Sequence, residues 1–249
     1  MSLKKQNLDD NTDKNWKSIY TLGGFTALIV ILGTILDIYI GTTMGSDLST
    51  LPKTATERFA QFQDNWMIGL YNLDMLNFVT TILMIPTYMA LCVVHRRVDN
   101  GYTLLATIIY IVGAAVFITN NTALSMLELS SKYAASTSEV QKISFAAAGE
   151  AMLSRGAHGS LGAFPGFLLL SLGSIVMSFG MLKGKIFNKT ISYVGIIGSV
   201  LLLTYVILVT FVPETKKMAM IIAAPGGLLA LAWMIMFTIK LFKLGCSKN

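Results

Sequence analysis

The chain has 249 residues, of which 54% are hydrophobic and 13% charged, with a mean hydropathy of +0.64. A soluble domain carries roughly 25% charged residues, so an ordinary soluble globular protein is excluded. A disordered chain, which needs low hydrophobicity and high charge, is excluded as well.

A bilayer core about 30 Å thick requires roughly 20 predominantly apolar helical residues. Six stretches meet that length, at about 18–42, 66–94, 102–121, 160–182, 191–212 and 219–241. Their apolar runs are continuous rather than alternating, so they read as helices and not as strands of a membrane barrel. The predicted fold is all-α: a polytopic membrane protein with a six-transmembrane-helix bundle spanning 18–241. A polar N-terminus, residues 1–17, precedes it and a short tail, 242–249, follows. The first span has too long an apolar run for a secretory leader and lacks a small-residue cleavage site after it, so it is predicted to be retained.

Between the spans, TATERFAQFQDNW at 54–66 predicts a short interfacial helix, with Phe59, Phe62 and Trp66 at headgroup level. The 122–159 segment predicts an outer helical hairpin between spans 3 and 4. Its first arm pairs Glu128 with Lys132 at i,i+4, and Ser136 with Glu139 has capping-box spacing at the start of the second. Pro86, Pro165 and Pro225 fall inside spans and predict kinks, with the AAPGG run at 223–227 the expected point of helix breakage. Gly162 with Gly166, and Gly41 with Gly45, form GxxxG pairs suited to close helix contact. The two halves show no convincing three-plus-three repeat of the kind common in secondary transporters.

Lys and Arg asymmetry sets an orientation. With the N-terminus cytoplasmic, the inner segments hold twelve Lys/Arg against four acids, and the outer segments seven against seven. The net +6 thus resolves into +8 inside, zero outside and −2 within the spans, from Asp37 and Asp74. Both termini are then cytoplasmic in a cell membrane, and no nucleic-acid partner is expected. Cys92 and Cys246 fall on the reducing side, where they read as spectators.

The two acids within spans are the main functional signal, because an Asp at a span centre costs roughly 2.5–3.5 kcal/mol. Counting about 1.5 Å per residue places both some 8–12 Å below the outer surface. Tyr71, Asp74, Asn77 and Thr81 are spaced so as to share one helix face, leaving Leu73, Leu76 and Val79 for lipid. An outward polar cavity is therefore predicted, lined by Asp37, Tyr71, Asp74 and Asn77, with Asn121 and Glu150 near its rim. His158 reads as an interfacial histidine rather than a ligand.

His95 and His158 lie on opposite sides, so they cannot share a haem iron. No P-loop, dinucleotide fingerprint, GxSxG or HExxH occurs. The fourteen Met side chains are scattered through the spans as packing. The expectation is no metal and no cofactor.

The chain resembles a prokaryotic family of six-span integral membrane proteins, a domain of unknown function. The similarity is carried by LDMLNFVTTILMIPTYMAL (73–91), AAGEAM (147–152) and KIFNKTISYVGIIGSVLLL (185–203). It implies the fold and a membrane location, and transfers no catalytic residue. Three functions stay open. The leading one is binding, with or without transport, of a small molecule, lipid or proton in the cavity. The second is an intramembrane enzyme on a lipid or isoprenoid substrate, using the paired carboxylates as acid and base. The third is a non-catalytic accessory subunit, which brings a membrane-protein partner or a homo-oligomer.

Overall fold

The computed structural model describes residues 2–43, 51–98 and 101–246. Asp47 and Asp99 of the charge balance, Gly45 of the Gly41–Gly45 pair and the end of the tail lie outside the described residues. Every regular element among the described residues is helical: α1 (Ser2–Thr43), α2 (Ala55–Asp64), α3 (Trp66–Tyr71), α4 (Met75–Val94), α5 (Gly101–Asn120), α6 (Ala123–Ala135), α7 (Glu139–Gly156), α8 (Phe164–Gly184), α9 (Lys189–Phe211) and α10 (Lys216–Gly245). Six stretches are long and apolar enough to cross a membrane: Trp16–Gly41, Met75–Val94, Gly101–Ala135, Phe164–Gly184, Lys189–Phe211 and Lys217–Gly245. The protein is a multi-span membrane protein.

The spanning helices form a ring. Each packs on its neighbours in chain order, α1 on α4, α4 on α5, α5 on α8, α8 on α9 and α9 on α10, and α10 closes onto α1. Their outward faces carry residues such as Leu32, Ile108 and Ile221, each more than half exposed, as a lipid-facing surface requires. The closest seam joins α5 and α8. Gly166, Gly173 and Gly180 recur every seventh residue on α8 and meet Phe117, Tyr110 and Thr103, which recur every seventh residue on α5. Two helical turns per step keep the three contacts on one line, and a missing Cβ at each lets the backbones close. Of the predicted Gly162–Gly166 pair only Gly166 serves this seam; Gly162 precedes α8 and lies against the Arg155 backbone.

The half of the ring nearest the termini is filled. Tyr88 stacks on Tyr110 with centroids 3.9 Å apart, and its hydroxyl shares a hydrogen bond of 2.7 Å with Ser174. Met177, Met181, Phe237 and Leu241 are fully buried around them.

The opposite half carries the loop side. The hairpin of α6 and α7 is present, and Glu128 and Lys132 form their ion pair at 2.6 Å. A second core of Phe59, Phe62, Leu73, Met126 and Leu153 joins it to α2 and α3. Phe59 and Phe62 are therefore buried in protein rather than set at headgroup level, and only Trp66 is exposed. Leu73, predicted to meet lipid, is buried in the same core. Phe59 and Phe62 are buried because α2 is amphipathic and the hairpin offers its apolar face a protein partner, and Leu73 joins that core from the turn before α4.

Three local expectations change. The capping box at Ser136 does not form; α7 starts after Ser138, while Ser136 ends α6 and bonds Gln141 at 2.8 Å. A capping box forms instead at Thr54–Glu57, opening α2. Pro165 sits in the first turn of α8, where its missing N–H is unneeded, and α10 runs unbroken through the AAPGG segment.

The largest departure is in the second span, predicted as one helix from 66 to 94. It is broken at Asn72–Asp74, where Asp74 takes the left-handed backbone conformation, φ 61°. That conformation costs a non-glycine residue of order 1 kcal/mol, least for Asn and Asp. Asn121 stabilises the break by donating its side-chain amide to the carbonyls of Leu73 (3.0 Å) and Asp74 (3.4 Å).

Candidate functional site

The break turns Asp74 from a mid-helix residue into the cap of α4, and its carboxyl points inward. Asp74 is 8% exposed and accepts from the Asn77 amide at 2.8 Å, one turn along α4. Its other partner comes from far away in sequence. His158, on the turn between α7 and α8, reaches both carboxyl oxygens through Nδ1 at 3.0 and 3.2 Å. The far ring nitrogen, Nε2, lies 2.8 Å from the Tyr205 hydroxyl on α9. A carboxylate only accepts, so Nδ1 carries a proton; in the neutral ring, Nε2 then accepts from Tyr205. The three side chains form one hydrogen-bonded chain across the ring.

The turn that presents His158 is clamped to the end of α5. Arg155 donates to the Thr119 carbonyl at 2.7 Å and to Asn120 Oδ1 at 3.2 Å, and Asn120 Nδ2 donates to the Gly162 carbonyl at 2.9 Å. Gly156 lies flush against Asn120 and Thr122, and Gly159 takes φ +78° beside Val209, a backbone that favours glycine. These contacts fix where the imidazole sits.

A cavity of about 600 Å³ opens beside this chain. Asp37 and Ile38 of α1, Tyr71 and Asn77, His158, Tyr205, and Met220, Gly227 and Leu228 of α10 line it. Tyr71 donates its hydroxyl to the Asp37 carbonyl at 3.1 Å, tying α1 to the broken segment. Among the described lining residues there is no Lys or Arg, and the groups able to carry charge near neutrality are Asp37, Asp74 and His158. Most of the remaining wall is apolar. Chemically, the site offers two carboxyls, an oriented imidazole and two phenols at one end of an apolar hollow.

Of the residues singled out from the sequence, Asp37, Tyr71, Asp74 and Asn77 come together on this cavity. Asn121 supports it from behind by holding the 73–74 carbonyls. Glu150 is elsewhere: its Oε1 accepts the Ala55 N–H at 2.6 Å and so anchors the start of α2 to α7. Thr81 is buried below the site, where its carbonyl accepts from Tyr110 at 3.3 Å. Tyr205 was not singled out, because an aromatic in an apolar span reads as packing. His158 was discounted, because nothing in its neighbourhood in the sequence ties it to Asp74, 84 residues earlier. Among the described residues, no three of His, Cys, Asp and Glu gather as a metal-binding group.

A buried cation sits in the loop-side cap. Arg58 on α2 is 5% exposed, and among the described residues its guanidinium makes a weak hydrogen bond to Gln61 at 3.4 Å. Burial lowers its guanidinium to about 10, and the negative charges of Asp74 and Glu57 only partly oppose this. Glu57 itself is held below the usual carboxylate range by the N–H groups of Thr54 and Lys53.

Neither a curated protein nor a solved structure matches the chain. Residues 21–240, which include all six spans almost entirely, match the family described as Domain of unknown function (DUF4386). The six-span resemblance carried by 73–91, 147–152 and 185–203 is thereby confirmed: the chain belongs to the DUF4386 family.

Proposed function

We propose that this membrane protein binds a small molecule or lipid in the loop-side cavity, with the Asp74–His158–Tyr205 chain holding the ligand's polar end. One observation carries the reading: a hollow of about 600 Å³ with a largely apolar wall meets two acids and an oriented imidazole. Ligand pockets of this size, about 300–1,000 Å³, are typically apolar with a few convergent polar groups. Such a cavity also weighs against a purely structural role for the polar side chains, which would favour a filled centre. The packed half around Tyr88, Met177 and Phe237 supports binding over free conduction, because it leaves the hollow blind on the termini side. The excess of Lys and Arg on that side supports cytoplasmic termini in a prokaryotic cell membrane, with the cavity facing outward.

The hydrogen bond from His158 to Asp74 favours a second reading, an intramembrane enzyme. A carboxylate that orients an imidazole is the arrangement of a general base, and here the far side of that imidazole meets a hydroxyl. In this form the acid–base pair is Asp74 with His158 rather than two carboxylates.

Gly227 provides the test. It lines the cavity, and a Cβ built there meets nothing within 4 Å, so Gly227→Phe directs a phenyl ring from an unobstructed Cβ and takes up part of the hollow. Mass spectrometry of protein extracted in mild detergent should find a retained small molecule in wild type and none in Gly227→Phe. Equal retention by both defeats the binding reading. If the retained molecule is converted by wild type but not by His158→Gln, the enzyme reading prevails.

A further inference from the structure

The cavity lies at a parting of two helices. Near the termini α1 and α10 are tightly joined: Phe242 lies against Gly24 and edge-on to Phe25 at 5.2 Å, and Gly245 abuts Thr21. Toward the loop side the same helices no longer interlock, and the cavity lies between them, with Asp37, Ile38 and Gly41 on one wall and Ala223, Gly227 and Leu228 on the other. Small residues on α10 create this room. Ile38 and Leu228 line the hollow and are 42% and 63% exposed. Exposure this high places them at its mouth, and that mouth falls within Trp16–Gly41 and Lys217–Gly245, two spanning stretches adjacent in the ring. The hollow therefore opens sideways, toward acyl chains.

The polar end of the hollow is anionic. Asp37 and Asp74 share it, His158 supplies at most one positive charge, and no Lys or Arg is among the described lining residues; the buried Arg58, which does not line the hollow, opposes part of the Asp74 charge only. Opposite charge is attracted most strongly where water is scarce; the Asp74 carboxyl is already held by Asn77 and His158, and Asp37 brings a second carboxyl to the same wall.

Resting on the binding reading above, we propose that the ligand is a membrane-borne cationic amphiphile. Its chain passes between α1 and α10 at Ile38 and Leu228, and its ammonium-type head group is held by Asp37 and Asp74. Phosphate and sulfate head groups are repelled by the same carboxyls. The chain length is not specified by the site, because a chain leaving through the rim continues into the bilayer.

The test uses the full-length protein in phosphatidylcholine nanodiscs with hexadecylamine, hexadecanol and hexadecyl sulfate, each carrying a photoreactive diazirine in the chain. The amine should label the peptides containing Ile38 and Leu228 about tenfold more than the alcohol or the sulfate, a preference equivalent to about 1.4 kcal/mol. Asp37→Asn, at a partly exposed position, should lose that preference while remaining folded, and Gly227→Phe should lose the labelling. Equal labelling by all three probes, or an amine preference that survives both Asp37→Asn and Asp74→Asn, overturns the cationic class. Labelling confined to other faces of the ring overturns the lateral opening. A water-soluble amine, benzylamine, separates this inference from the reading beneath it. If benzylamine raises the Tm of wild type but not of Gly227→Phe while hexadecylamine fails to label, the cavity binds ligand and the membrane-borne class is wrong. If neither amine distinguishes Gly227→Phe from wild type, the cationic class falls, and the binding reading falls with it only if the two proteins also retain ligand equally in the mass-spectrometric comparison.

Discussion

Replacing His158 with Ala removes the link between the broken second span and α9. Two contacts to the Asp74 carboxyl, at 3.0 and 3.2 Å, and one to Tyr205, at 2.8 Å, are lost together. A hydrogen bond to a charged group contributes about 1.5–3 kcal/mol, and stripping one partner from a buried ion pair costs about 3–5 kcal/mol. Asp74 keeps the Asn77 amide at 2.8 Å, which tempers the loss. The expected destabilisation is thus about 2–4 kcal/mol at neutral pH. An amide in place of the carboxyl needs no positive partner, so Asp74→Asn should recover part of that loss in the His158→Ala background. The coupling in the double-mutant cycle should be about 1.5–3 kcal/mol. Unfolding in detergent micelles, followed by circular dichroism against added denaturing surfactant, measures all four corners of the cycle. Additivity within about 0.5 kcal/mol would show that His158 and Asp74 do not act as a unit, and the site as described would be refuted.

Other expectations concern the scaffold. Glu150→Ala frees the Ala55 N–H at the start of α2, a loss of about 1–3 kcal/mol for an unsatisfied buried donor; faster amide hydrogen exchange across residues 55–58 is the readout, and unchanged exchange refutes the anchor. For Arg58, a folded value of about 10, below its ordinary one, means that the charged form opposes folding at every pH below that value, an opposition that fades as pH rises through it. At about 1.4 kcal/mol per pH unit this is of order 3 kcal/mol, so Arg58→Met should raise Tm at pH 7, and a lower Tm would mean that Arg58 holds an essential contact. On α8, Gly166→Ala brings a Cβ to 2.9 Å from the Phe117 backbone and should cost about 1–3 kcal/mol through separation of the α5–α8 seam. On α10, Gly227→Ala meets open space and should be neutral or stabilising by up to about 1 kcal/mol. Thermal unfolding of the two variants side by side checks the contrast, and equal effects would refute the seam.

The spans, their number and the α6–α7 hairpin were legible in the sequence, because each rests on a local rule. Twenty apolar residues must be a helix in a bilayer, since the backbone has no other partner there. The pair Glu128–Lys132 follows from the pitch of one helix. The polar stripe on the second span was also legible in part: Tyr71, Asp74 and Asn77 do line one cavity with Asp37. What made them stand out was the cost of an acid among apolar neighbours, a property of composition rather than of shape.

The break at Asn72–Asp74 was not legible, because it depends on Asn121, a residue of the third span, whose side-chain amide donates to the Leu73 carbonyl and, more weakly, to that of Asp74, the latter also accepting the Phe78 N–H at 2.8 Å. Phe59, Phe62 and Leu73 could equally have faced lipid until the hairpin supplied a surface to bury them. His158 and Tyr205 gain their roles only through a ring that brings α9 and the turn before α8 to the cap of α4. Hydropathy and periodicity speak of one helix at a time, and they set which residues meet the bilayer and which resist it. Which polar groups face one another depends on the order in which the helices close the ring, and that order is decided by contacts between segments far apart in the chain.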